Sequence, residues 1–100
     1  KLAKKLEDAG SKLIVLECIE MNTAKKITNK LTIPTIGIGA SNFCDGQVLV
    51  TDDIINLDSN NYKPKFIKTY IDVNKDIINA VKSFVKDVKN KKFPSKKYSY

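Results

Sequence analysis

The sequence predicts an α/β architecture in which short parallel strands alternate with helices. Three observations lead there. Apolar residues recur at helical spacing in three separate stretches. Between them lie short unbroken apolar runs, Leu13 to Leu16 and Ile36 to Ile38, where a half-solvated strand would alternate. The chain thus reads helix–strand–helix–strand with short connections, the order that produces parallel neighbours.

Taken in order, "KLAKKLEDAG" places Leu2, Leu6 and Ala9 on one helix face, and Gly10 supplies a C-terminal stop. "KLIVLE" reads as a strand buried on both faces. Asn22 is the expected cap of a second helix, whose core face is Ala24, Ile27 and Leu31. Pro34 excludes further helix, and "TIGIG" is the second strand. "GQVLVTDDIINL" fits a strand over Val48–Val50 or a helix, with helix favoured after Thr51. "DSNNYKP" reads as a loop and "KFIKTYI" as a third strand. Asp72 or Asn74 then starts a long helix with the stripe Ile77, Val81, Phe84, Val85 and Val88. Pro94 lies past its end, and "SKKYSY" is expected to be a mobile polar tail.

The chain has 100 residues, of which 42% are hydrophobic, so it carries one globular domain or part of one. No apolar run approaches the length needed to cross a bilayer, and no signal-peptide pattern opens the chain. The net charge is +7, with every basic side chain a lysine. Without Arg for bidentate base contacts, and with the lysines spread along the chain, a solvated lysine surface is favoured over a nucleic-acid interface. There is no His, and Cys18 and Cys44 have no zinc-like spacing. Both are read as reduced thiols packed in or near a core.

Two or three parallel strands leave both sheet edges unpaired. We therefore expect a larger domain, with a true N-terminus missing ahead of Lys1, which falls inside a helix. The element order fits the last three strand–helix units of an eight-stranded barrel, which needs about 250 residues, or the second half of an open doubly wound sheet. In both, reactive groups lie at the carboxyl ends of strands. Glu17 occupies one such end. Beside an apolar wall its pKa would rise, making it a better proton acceptor; the alternative is an acid paired with a lysine. Gly37, Gly39 and Ala40 occupy the other end. Glycines there leave room for a bound ligand or, alternatively, for tight strand–helix packing. Asp45 is read as structural, in a turn or a cap.

The blocks "LIVLECIE", "IPTIGIGAS…CDGQVLV…D", "KPKFIKTY" and "FPSKKYSY" resemble, in order and over essentially the whole chain, the C-terminal part of the ketopantoate hydroxymethyltransferase family. The resemblance implies a TIM (β/α)8 barrel of the phosphoenolpyruvate-mutase and isocitrate-lyase type. Residues 1–100 would supply its last strand–helix units, a C-terminal helix and a tail. It implies a cytoplasmic decamer that moves a hydroxymethyl group from 5,10-methylenetetrahydrofolate to 3-methyl-2-oxobutanoate, the first step toward pantothenate and coenzyme A. A Mg²⁺ ion would hold the keto acid, and Glu17 would take the proton alpha to its carbonyl. Gly37, Gly39 and Ala40 would lie near the substrate. The metal ligands would come from earlier strands, so none is assigned here and the chain alone is expected to be inactive. Neither nucleic acid nor membrane is an implied partner. The alternatives are another Mg²⁺-dependent keto-acid lyase or mutase of the same barrel type, or a basic interaction module. The chain departs from the family's usual Pro at Glu20, Gly at Ser41 and His at Tyr98. A positive φ at Ser41 would cost on the order of 1 kcal/mol.

Overall fold

A computed structural model of the chain describes residues 1–58 and 62–100. The chain divides into two compact units, Lys1–Val50 with Tyr62–Lys68 and the remainder. The first contains α1 (Leu2–Asp8), β1 (Ile14–Glu17), α2 (Met21–Thr28), β2 (Thr35–Ile38) and β3 (Gly46–Gln47). The strands form one sheet in the order β1-β2-β3, and both pairings are parallel. The architecture is α/β, as the alternation of helical and strand-like patterns requires.

Helix α1 stops where predicted. Gly10 adopts φ +101, a left-handed conformation that costs glycine little, and its N–H returns to the Glu7 carbonyl at 2.9 Å. The helix is rolled away from the expected face, however. Leu2 is 72% exposed and Leu6 also lies outward, while Ala3 and Glu7 turn inward. The reason is polar. The Glu7 carboxylate accepts the Thr32 N–H at 2.6 Å, the Thr32 hydroxyl at 2.8 Å and the Ile33 N–H at 3.2 Å, and it also pairs with Lys4. Lys4 and the Thr32 amide and hydroxyl together hold its pKa down from 4.5 to about 2. A carboxyl with a depressed folded pKa adds stability above its unfolded pKa and loses it as pH falls through the folded value. Urea unfolding midpoints should therefore fall between about pH 4.5 and about pH 2. Glu7→Gln should flatten that fall, and an unchanged slope would mean that Glu7 does not carry it.

Helix α2 begins two residues earlier than an Asn22 cap would allow. Glu20 is the cap: its carboxylate accepts the N–H groups of Asn22 and Thr23 at 2.9 and 2.8 Å. Ala24 is fully buried, and Ile27 and Leu31 pack beside it, as their spacing predicts. They meet Ile14 and Leu16 of β1 and the buried Cys44. Ala3 of α1 packs against the same cluster, so both helices cover one face of the sheet. The other face carries Val15, Glu17, Ile36 and Ile38, which register side by side as Val15↔Ile36 and Glu17↔Ile38. Val15 is 54% exposed. The strand read as buried on both faces is thus covered on one, because both helices of this unit lie on the same side.

The third strand is Gly46–Gln47, not the "KFIKTYI" stretch. Gly46 registers with Ile36, and a Cβ at Gly46 would stand 2.7 Å from Ile36 Cδ1, so a larger residue there would make the Ile36 side chain shift. Within 65–71, the Ile67 N–H turns back to the Pro64 carbonyl at 3.0 Å.

In the second unit, α3 (Thr51–Ile55) forms after Thr51 as expected. The Tyr70 N–H donates to the Ile54 carbonyl at 2.8 Å, and the Thr69 hydroxyl donates to the Asp53 carbonyl at 3.2 Å. These donors serve the end of a helix rather than a strand ladder. Of the predicted "DSNNYKP" loop, residues 59–61 lie outside the described residues; Asp58 and 62–64 are irregular. Asp72 caps α4 (Val73–Lys89), accepting the Lys75 N–H at 3.1 Å. The stripe from Ile77 to Val88 is half-exposed, with Phe84 at 54%. The polar tail includes a single 3-10 turn, Lys96–Tyr98. Aromatic contacts run from Phe84 to Phe93 at 5.6 Å and from Phe93 to Tyr98 at 5.8 Å.

Candidate active site at the carboxyl ends of the strands

Glu17 is the last residue of β1 and lies on the sheet face opposite α1 and α2. Its side chain is exposed, not set against the apolar wall the sequence suggested. The next residue bends the chain sharply. Cys18 takes φ 51, uncommon for a residue with a side chain, and its N–H donates to the Ile38 carbonyl at 2.9 Å. That bond ties the turn after β1 to the end of β2. Cys18 is exposed and Cys44 buried, and both are free thiols, so only Cys44 joins the core. Glu20 is occupied as a helix cap, and the Asn22 and Thr23 amides hold its carboxyl below the usual range.

The glycines after β2 have separate causes. Gly37 is buried, and a Cβ there would lie 2.8 Å from Gln47 Oε1 and 3.1 Å from Cys44 Sγ. Gly39 takes φ +61, and a Cβ there would sit 2.6–2.9 Å from the Cγ, Cδ1 and Cβ atoms of Phe66. The space these glycines leave is filled by the protein's own side chains. Ser41, by contrast, is not among the residues with positive φ. It is buried, its hydroxyl accepts the Phe43 N–H at 3.2 Å, and its carbonyl accepts the Gln47 side-chain amide at 2.7 Å. The serine therefore stitches the loop without strain. Lys25 lies 4.0 Å over the Phe43 ring and adds a cation–π contact.

Beyond these loops is a hollow of about 700 Å³, lined by residues 18–21, 39–42, Gln47, Lys65 and Phe66. Gly39 and Ala40 line it; Gly37 and Glu17 do not. The structure thus sets Glu17 on the face opposite α1 and α2 and Gly39–Ala40 in the adjoining loop, at the same end of the sheet. Asp45 lies at the other end. Its carboxylate accepts the N–H of buried Thr35 at 2.8 Å and its hydroxyl at 3.1 Å, and these bonds lower its pKa. It joins the starts of β2 and β3, a structural role. Among the described residues no group of three or more His, Cys, Asp or Glu gathers to hold a metal ion. None of their helices is long and apolar enough to cross a membrane.

Sequence reasoning missed Phe66 and the turn at Cys18. Phe66 carries no local signal, because its contact with Gly39 joins residues far apart in the chain. The positive φ at Cys18 has no glycine or asparagine to announce it.

A family model described as Ketopantoate hydroxymethyltransferase matches residues 1–96. The chain is 56% identical over 98 residues to a protein of Pelagibacter ubique (strain HTCC1062) named 3-methyl-2-oxobutanoate hydroxymethyltransferase, covering 98% of this chain and 37% of that protein. Proteins of the same name from Thermosipho melanesiensis and Geobacter metallireducens are each 50% identical, over 95 and 98 residues. These alignments cover 95% and 98% of this chain and 36% of each relative. The chain spans just over a third of the length of the curated relatives it matches.

Proposed function

Because the chain belongs to the ketopantoate hydroxymethyltransferase family, we propose that the full-length protein transfers a hydroxymethyl group from 5,10-methylenetetrahydrofolate to 3-methyl-2-oxobutanoate. The product is 2-dehydropantoate, on the route to pantothenate. One observation carries the reading: a carboxylate stands at the carboxyl end of a parallel strand, on the face opposite α1 and α2. In a closed (β/α)8 barrel the helices form the outer ring, so the opposite face points inward and the carboxyl ends form the mouth. Closure would enclose Val15, Ile36 and Ile38 and set Glu17 at that mouth.

There Glu17 would remove the proton on the carbon next to the ketone. The C–H electron pair moves into the enolate, and the enolate carbon bonds to the folate's methylene carbon. Both C–N bonds of that carbon break, water supplies the hydroxyl oxygen, and the C3 proton together with one proton from water ends on the two freed nitrogens, leaving tetrahydrofolate. A general base in this position contributes roughly 10²–10⁴-fold. Mg²⁺ is the cation the family reading brings with it. The described residues do not fit it by themselves, so its ligands would come from elsewhere in the protein. Assembly as a homo-oligomer, a decamer, and work in the cytoplasm belong to the same proposal.

The test is direct. Incubated in deuterated water without folate, the full-length protein should exchange the C3 proton of 3-methyl-2-oxobutanoate, seen by NMR. Adding 5,10-methylenetetrahydrofolate should then yield 2-dehydropantoate. Exchange with no condensation would point to another keto-acid enzyme, and the absence of both exchange and condensation would sink the reading.

A further inference from the structure

We propose that Phe66 is a positioning residue for the proton transfer: seated on Gly39, it holds the loop after β2 at a set height beside Glu17. The inference rests on Glu17 being the proton acceptor. Gly39 and Phe66 fit as a lock. With φ +61 and a virtual Cβ 2.6 Å from Phe66 Cγ, position 39 admits no side chain while the ring is in place.

The lock connects to Glu17 through the backbone. Gly39 follows Ile38, the register partner of Glu17, and the Ile38 carbonyl accepts the Cys18 N–H at 2.9 Å. A shift at Gly39 therefore moves the group that fixes the turn immediately after Glu17. Farther along, the loop is pinned by Ser41 to Gln47 and by Phe43 to Lys25. Ala40 packs against the core cluster, and at Gly39 itself it is the Phe66 ring that bears on the strand end.

Phe66 is not simply core. It is only partly buried, it lines the hollow, and it belongs neither to the buried cluster of Ile14, Leu16, Ala24 and Cys44 nor to the residues packed around it. Removing its ring leaves that cluster whole and takes away the contact that seats Gly39. Small displacements are costly where a base must meet a carbon-bound proton, on the order of 10²-fold for a shift of about 1 Å.

The experiment uses the full-length protein with 3-methyl-2-oxobutanoate and reads C3-proton exchange, KM and Tm. Phe66→Ala should slow exchange at saturation by about 10-fold or more, with KM changed less than about threefold. Phe66→Leu, which keeps apolar bulk, should fall between and serves if the alanine variant does not fold. Gly39→Ala should slow exchange at least as much. Combined with Phe66→Ala its effect should be smaller than the product of the two, because the clash is gone. Amide hydrogen exchange over residues 39–42 should quicken in Phe66→Ala. Normal turnover in both Phe66 variants, a change confined to KM or Tm, or multiplying effects in the double variant would overturn the proposal. Normal exchange in Glu17→Gln would sink the assignment of the base. Slow exchange in Glu17→Gln with normal exchange in Phe66→Ala would sink the positioning role alone.

Discussion

Glu17→Gln should slow C3-proton exchange of 3-methyl-2-oxobutanoate by roughly 10²–10⁴-fold in the full-length protein. The amide keeps the shape of the side chain and much of its hydrogen bonding but accepts no proton. Because Glu17 is exposed and outside the core cluster, folding should be unchanged. Keto-acid binding should persist as well, so the loss should appear in the rate at saturation. Glu20→Gln is the matched control. Glu20 is three residues away, but its carboxylate is engaged with the Asn22 and Thr23 amides at the start of α2. A slight loss of thermal stability and an ordinary exchange rate are expected there. Normal exchange in Glu17→Gln with slow exchange in Glu20→Gln would move the base to the helix start.

The largest stability effect should come from Leu16→Ala. Leu16 is 5% exposed and packs in the cluster with Ile14 and Ala24, beneath α2. Truncating it leaves a cavity between strand and helix and should cost roughly 2–5 kcal/mol, measured by urea unfolding. Its neighbour Val15 supplies the contrast. In these 100 residues Val15 is 54% exposed, and truncation would remove little. If the full-length protein closes a barrel, Val15 faces its filled interior, and Val15→Ala should cost on the order of 1 kcal/mol or more. A Leu16 effect with no Val15 effect in the full-length protein would mean that the second sheet face stays uncovered, and the barrel would be wrong.

The alternation of elements was legible because it depends on near neighbours. Periodic Ala24, Ile27 and Leu31, the apolar run ending at Leu16, and Gly10 just past a helix are local signals, and each marks its element. Local signals failed where two separated segments compete for the same backbone groups. "KFIKTYI" has strand-like composition, yet the donors at Thr69 and Tyr70 go to the end of α3. Asn22 is a good cap by type, but Glu20, two residues earlier, accepts the amides of Asn22 and Thr23 and so starts the helix first. The roll of α1 was hidden for a similar reason. The Leu2–Leu6 stripe marks a helix, but its orientation is settled by Glu7 and the amides of Thr32 and Ile33, some 25 residues on.

For the site, the sequence by itself determined that an acid ends one strand and that small residues end the next. Those are facts of order along the chain. Only the tertiary structure decided what they adjoin. It put both helices on one sheet face and left Glu17 on the other. It spent the room at Gly37 on Gln47 and Cys44, and the room at Gly39 on Phe66. A glycine's missing side chain records that something comes close. What comes close is set by chain crossing and packing across long separations, and residue type alone does not encode it.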